Sequence, residues 1–181
     1  MKRSSLIVIG AIALVALAGW FLLRPARETI AVDLVSTFDS AEKRPLGVEV
    51  FTVSDVTIAG QTKRGLLPNQ PSRAIWHQVL IPENAVLKVS LGVLEKGWTM
   101  EGDGVLFRVG ITVGTQYDEL LRLVRHPFAN PADRQWHEIT LDLAEYAGER
   151  VDVLFSTNSS LAGDNRNGDF AVWGSPRITV E

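Results

Sequence analysis

Apolar positions follow two different rules along this chain. Residues 6–23, LIVIGAIALVALAGWFLL, begin at Leu6, end at Leu23 and leave the hydrophobic class only at two glycines. At roughly 1.5 Å per residue this stretch approaches the ~30 Å hydrocarbon core of a bilayer. It predicts one transmembrane helix, closed by Pro25. From Glu28 onward the apolar residues come instead in short runs rich in Val, Ile, Leu, Thr and Phe, broken by Gly, Pro, Asn or Asp. The runs place candidate strands at 30–38, 48–58, 73–80, 85–94, 104–113, 117–125, 136–143, 151–157 and 171–180, the last with a break at Gly174-Ser175-Pro176.

Several runs alternate with period two, as a strand covering a core on one side must. Val105, Phe107, Val109, Ile111 and Val113 form one apolar face, with Leu106, Arg108, Gly110 and Thr112 on the other. The odd positions of 85–93 point inward in the same way, leaving Lys88, Ser90 and Gly92 outside. Segment 117–125 also satisfies the i, i+3, i+4, i+7 spacing of a helix through Tyr117, Leu120, Leu121 and Val124, and is read as a strand. Trp-His steps at Trp76-His77 and Trp136-His137 send their rings to opposite faces of a strand, the Trp inward and the His outward. Nine runs suffice for two packed antiparallel sheets, so the fold class is an all-β antiparallel β-sandwich preceded by one transmembrane helix. The domains are 1–27, anchor and connector, and 28–181, sandwich.

Charge sharpens this division. The first 27 residues carry Lys2, Arg3, Arg24 and Arg27 and no acid, whereas 28–181 carry 14 basic and 21 acidic groups, a net −7. Lys2 and Arg3 followed by Ala16-Leu17-Ala18 also resemble a cleavable signal peptide. The apolar run continues past that point through Trp20, a residue suited to the membrane interface, which favours a retained signal-anchor. The expected location is the cell membrane, single-pass, with residues 6–23 contacting the lipid bilayer and the C-terminal domain extracytoplasmic. A domain of −7 with scattered Lys and Arg repels phosphates, which excludes nucleic acid as a partner.

The chain has no Cys, which removes disulfides and thiol chemistry. It contains no Gly-x-Ser-x-Gly elbow, no His-Glu-x-x-His and no phosphate-binding glycine loop. His77, His126 and His137 match no recurrent zinc spacing. A sandwich glycosidase needs two acids facing one groove, and the nearest candidate, Glu101-Gly102-Asp103, lies in a connection. The chain is therefore read as not an enzyme. The loop Gly163-Asp164-Asn165-Arg166-Asn167-Gly168-Asp169 concentrates oxygen donors of the kind calcium takes. It fails the EF-hand pattern and also reads as a solvated hairpin loop. Its metal candidates are Asp164, Asn165, Asn167 and Asp169, for a structural calcium and no other cofactor. Sugar recognition needs exposed rings with polar neighbours; Trp98, Trp136, Trp173 and Tyr117 supply rings. Trp98, Asp103 and Trp173 are the residues assigned to ligand contact.

The order Ile81-Pro82-Glu83-Asn84-Ala85, Asp103-Gly104-Val105-Leu106-Phe107, Asp133-Arg134-Gln135-Trp136-His137, Tyr146-Ala147-Gly148 and Ala171-Val172-Trp173-Gly174-Ser175-Pro176-Arg177-Ile178 resembles bacterial jelly-roll modules of the galactose-binding-like and carbohydrate-binding-module-like kind. They accompany envelope sulfatases and glycosyltransferases. The resemblance covers about residues 70 to 180. It implies a jelly roll and an accessory binding role, here acting in trans because the module carries its own anchor. The leading expectation is a membrane-anchored, envelope-facing, non-catalytic binder of a glycan or an envelope protein. The alternatives are a structural subunit of a membrane enzyme complex, which needs a large exposed apolar patch, and a glycoside-active enzyme.

Overall fold

A computed structural model describes residues 28–46, 49–159 and 165–180. The expected membrane segment 6–23 and the candidate ligand Asp164 lie outside the described residues. Among the described residues no helix is long and apolar enough to cross a membrane.

The described residues form eleven strands: β1 Thr29–Asp33, β2 Glu42–Arg44, β3 Phe51–Ile58, β4 Gln61–Pro68, β5 Ser72–Leu80, β6 Ala85–Val93, β7 Val105–Val113, β8 Gln116–Arg125, β9 His137–Asp142, β10 Arg150–Ser159 and β11 Ala171–Val180. The first sheet runs β3-β4-β11-β6-β9, with β1 also on β11, and the second runs β2-β5-β10-β7-β8. The pairs in both sheets are antiparallel. The expected all-β two-sheet sandwich is therefore the observed one.

Three local departures have physical causes. The first run ends at Asp33 because its carboxylate accepts the amides of Val35 and Ser36 while its carbonyl accepts the hydroxyls of Ser36 and Thr37. The tight turn drops Leu34 and Phe38 into the core. Strand β4 was not expected, because QTKRGLLP lacks alternation. It forms because Ala59 and Gly60 both take positive φ, 49° and 77°, the twist that lets a two-residue turn pair its flanks. All eight residues of β3 then find partners from Phe51↔Pro68 to Ile58↔Gln61. Strand β11 continues through the expected break as a bulge between Gly174 and Arg177, with Ser175 at φ 44°.

The core lies between the sheets. The inward positions expected for β6 and β7 are buried, apart from Val113, which is partly exposed. An aromatic chain crosses it: Trp76 meets Phe155 at 5.3 Å between ring centres, Phe155 meets Trp173 at 4.7 Å, and Trp173 meets Phe107 at 4.9 Å. Trp173 is 0% exposed. It belongs to the core and cannot stack on an external ligand, which corrects its assignment as a ligand contact. The reason is register: Trp173 faces Leu66 and Leu91 across the ladder, all three on the inner face. Trp76 is buried and His77 exposed, the arrangement expected of that Trp-His step.

Candidate functional site

The connections 94–104, 126–136 and 165–170 lie at one end of the sandwich, as the pairs Val93↔Ala171, Leu91↔His137, Val105↔Arg125 and Val105↔Ser159 require. Their glycines allow backbone-to-backbone contact. A Cβ on Gly102 would overlap the Asn167 carbonyl oxygen, and one on Gly97 would overlap that of Gly168. This zips the first and third connections together. The Asn167 side-chain amide donates to the Glu101 carbonyl at 2.7 Å, and the Asn165 side-chain oxygen accepts the Asn167 amide at 3.0 Å. Both carboxamides thus serve the loop itself. Trp98 is half-buried, and its indole N–H donates to the Val93 carbonyl at 2.9 Å. It packs against the cluster of Val56, Ile58, Trp136 and Val172 and acts as scaffold for the loop.

Beneath this zipper stand two carboxylates. Both oxygens of Asp103 and both of Asp169 are closed to solvent, and those of Asp103 have no hydrogen-bond partner among the described residues, while the Ser159 hydroxyl lies close enough to Asp169 to act on it. Burial, reinforced by the charge of Asp103, raises the Asp169 pKa to about 6; the Ser159 hydroxyl and Arg166 act in the opposite direction. Two of the residues singled out from the sequence, one for ligand and one for metal, thus share one buried site. Four buried carboxylate oxygens are the hard donors calcium prefers, and backbone carbonyls would complete a set of six to eight. Among the described residues no three His, Cys, Asp or Glu converge, so any cation there rests on this pair.

The outer face of the first sheet is covered by the chain itself. Trp136 lies across Gly92 and Gly174, where added Cβ atoms would come within 2.9 and 2.8 Å of its ring, and its N–H donates to the Gln61 carbonyl at 2.9 Å. The β3–β4 hairpin folds onto the same face: Ile58 reaches Gly92, and the Ala59 amide donates to Glu95. Lys63 and Ser90 close the rim on Glu138, at 2.7 and 2.8 Å.

The outer face of the second sheet is open. With Val153, Phe155, Val109 and Ile111 inside, alternation turns the intervening residues outward. The register sets them in rows across β10, β7 and β8: Asp152, Thr112 and Tyr117; then Leu154, Gly110 and Glu119; then Ser156, Arg108 and Arg122. Tyr117 is 46% exposed. Its ring lies over Gly110, since a Cβ there would overlap the ring atoms. Arg108 is hydrogen-bonded to Glu119 beside it. The result is one aromatic ring held against a sheet, bordered by guanidinium, carboxylate and hydroxyl groups. The sequence carried a signal for it, because a glycine inside a strand often marks a close approach. That signal was weaker than the four tryptophans of the sandwich, all of which are structural.

No family model matches the chain. An uncharacterized protein of Archaeoglobus fulgidus is 36% identical over 105 residues, 58% of this chain and 26% of its own length. The chain thus spans about a quarter of that relative. Among solved structures, the C-terminal family 22 carbohydrate-binding module of Clostridium thermocellum Xyn10B superposes with a TM-score of 0.50 at 12% identity, covering 86% of this chain and 96% of that one. The CBM51 domain of Clostridium perfringens GH95, in complex with methyl-galactose, gives 0.47 at 10% identity, with 84% and 99% covered. At such identities the likeness concerns the fold, which is that of the carbohydrate-binding-module sandwiches.

Proposed function

We infer that this chain is a non-catalytic glycan-binding module that works at a membrane surface, tethered through residues 6–23 with the sandwich on the extracytoplasmic side. The observation that carries the reading is the exposed Tyr117 ring packed over Gly110 on the open sheet face. A pyranose ring presents axial C–H groups to an aromatic face and hydroxyls to its flanks. Arg108, Glu119, Ser156 and Asp152 share that outer face with the ring. The likeness to the family 22 module supports the same reading.

The Asp103–Asp169 pair supports the non-catalytic part. A glycosidase needs two carboxyl groups open to one sugar, whereas these oxygens are sealed from solvent. We assign the pair a structural role, holding calcium that locks the loop end.

Affinity electrophoresis of the full chain in detergent through gels containing neutral and acidic envelope polysaccharides tests the reading. Retardation by at least one glycan that disappears in Tyr117→Ala is expected. Equal mobility of both proteins in every gel would overturn it.

A further inference from the structure

His77 on β5 stands between two acids from different strands. Its Nδ1 is 2.8 Å from Asp152 Oδ2 on β10, and its Nε2 is 2.9 Å from Glu42 Oε2 on β2. A carboxylate only accepts, and a neutral imidazole has one N–H. Both contacts can therefore be hydrogen bonds only when the ring carries both protons; losing one sets a nitrogen lone pair against a carboxylate oxygen.

The neighbours favour that cation. Asp152 is fixed by the Gln78 amide on its other oxygen at 3.0 Å, where Gln78 takes a positive φ of 54° opposite the β5–β10 bulge. Glu42 is bonded to Arg44 on its own strand. Arg150 on β10 turns to the Gln78 carbonyl at 3.1 Å, and Arg73 lies on the same face of β5, four residues away. The acids raise the His77 pKa above its ordinary value, Asp152 first and Glu42 second.

Strand β2 has a slender hold. It is three residues long and pairs only with β5, from Glu42↔Ile75 to Arg44↔Arg73. It is an edge strand, and it caps the upper half of β5. We propose that Glu42, His77 and Asp152 form a proton-operated clasp that holds β2 against β5 and opens as the imidazole loses its second proton. The sign follows from linkage: a cation favoured in the folded state contributes stability below the unfolded histidine pKa, and that contribution disappears as pH rises through the folded value. Asp152 is common to the clasp and to the face around Tyr117, but the clasp is read without any sugar, so it can fail while the glycan reading holds.

The test is amide hydrogen exchange of residues 42–44 across pH, corrected for intrinsic exchange, with NMR titration of the His77 ring, in wild type, His77→Gln and His77→Arg. Residue 77 is exposed, so the variants keep the core. Wild type should lose protection on the order of tenfold, the size of a lost charge-assisted bond, with a midpoint that coincides with the His77 titration and lies above the usual histidine value. His77→Gln should be weakly protected at every pH, and His77→Arg, a donor to both acids at every pH, strongly protected throughout. A wild-type profile parallel to His77→Gln, or a His77 midpoint at or below 6.5, would overturn the proposal.

Discussion

Asp169 offers the sharpest quantitative test. Its pKa rises from 3.8 to about 6 on folding, and each unit of difference corresponds to about 1.4 kcal/mol. The folded state therefore holds the proton more tightly than the unfolded chain. The contribution of Asp169 is most favourable below the unfolded value and is lost as pH climbs from about 4 to 6, with the full cost present above that. The upper bound is ~3 kcal/mol; because the side chain is only partly buried, about 1–2 kcal/mol is the working figure. In Asp169→Asn that cost is absent. With a chelator present, the variant and wild type should melt together near pH 4, and the variant should melt higher near pH 8. The gain is about 2–8 °C for a domain of this size. Added calcium should then raise only the wild type, by ~2.7 kcal/mol at a hundred times the dissociation constant. Calorimetry in four conditions decides it. A difference in melting temperature between Asp169→Asn and wild type that does not grow across that pH range in chelator would refute the burial argument. A variant that still responds to calcium would refute the ligand assignment.

Further outcomes follow from the same geometry. Tyr117→Ala should abolish glycan retardation with little change in melting, since the ring is half exposed, and Gly110→Ala should weaken binding by displacing the ring, both read by affinity electrophoresis. Trp173→Ala removes the centre of the core and should cost about 3–5 kcal/mol in denaturant unfolding. Gly92→Ala forces the Trp136 ring and Ile58 apart and should cost about 1–3 kcal/mol in the same assay.

Much of the sandwich was legible residue by residue. The inward faces of β6 and β7 follow from alternation alone, because a strand with one buried side must alternate. Strand β8 resolved its helix–strand ambiguity only in three dimensions. Pairing with β7 needs a bulge between Val109 and Gly110, after which Leu121 faces Val109 and Glu119 faces Gly110. Strand β4 escaped notice because Lys63, Arg64 and Gly65 hide the alternation. Its existence depends on the left-handed pair Ala59-Gly60, of which only the glycine advertises itself.

The candidate sites divide similarly. Asp103 and Asp169 were both marked by their chemistry, yet 66 positions separate them, and only the antiparallel return of β11 beside β6 brings their loops together. Trp173 is buried and Tyr117 exposed for a comparable reason. Composition ranks Trp above Tyr as a sugar platform, but exposure is set by which face of which sheet a residue occupies. By itself the sequence determined the all-β class, the inward faces and the acidic character of the domain, since these depend on local periodicity and side-chain type. Tertiary structure decided which aromatic ring faces solvent, which acids meet and which histidine lies between carboxylates, because those depend on register and strand order, and long-range pairing sets both.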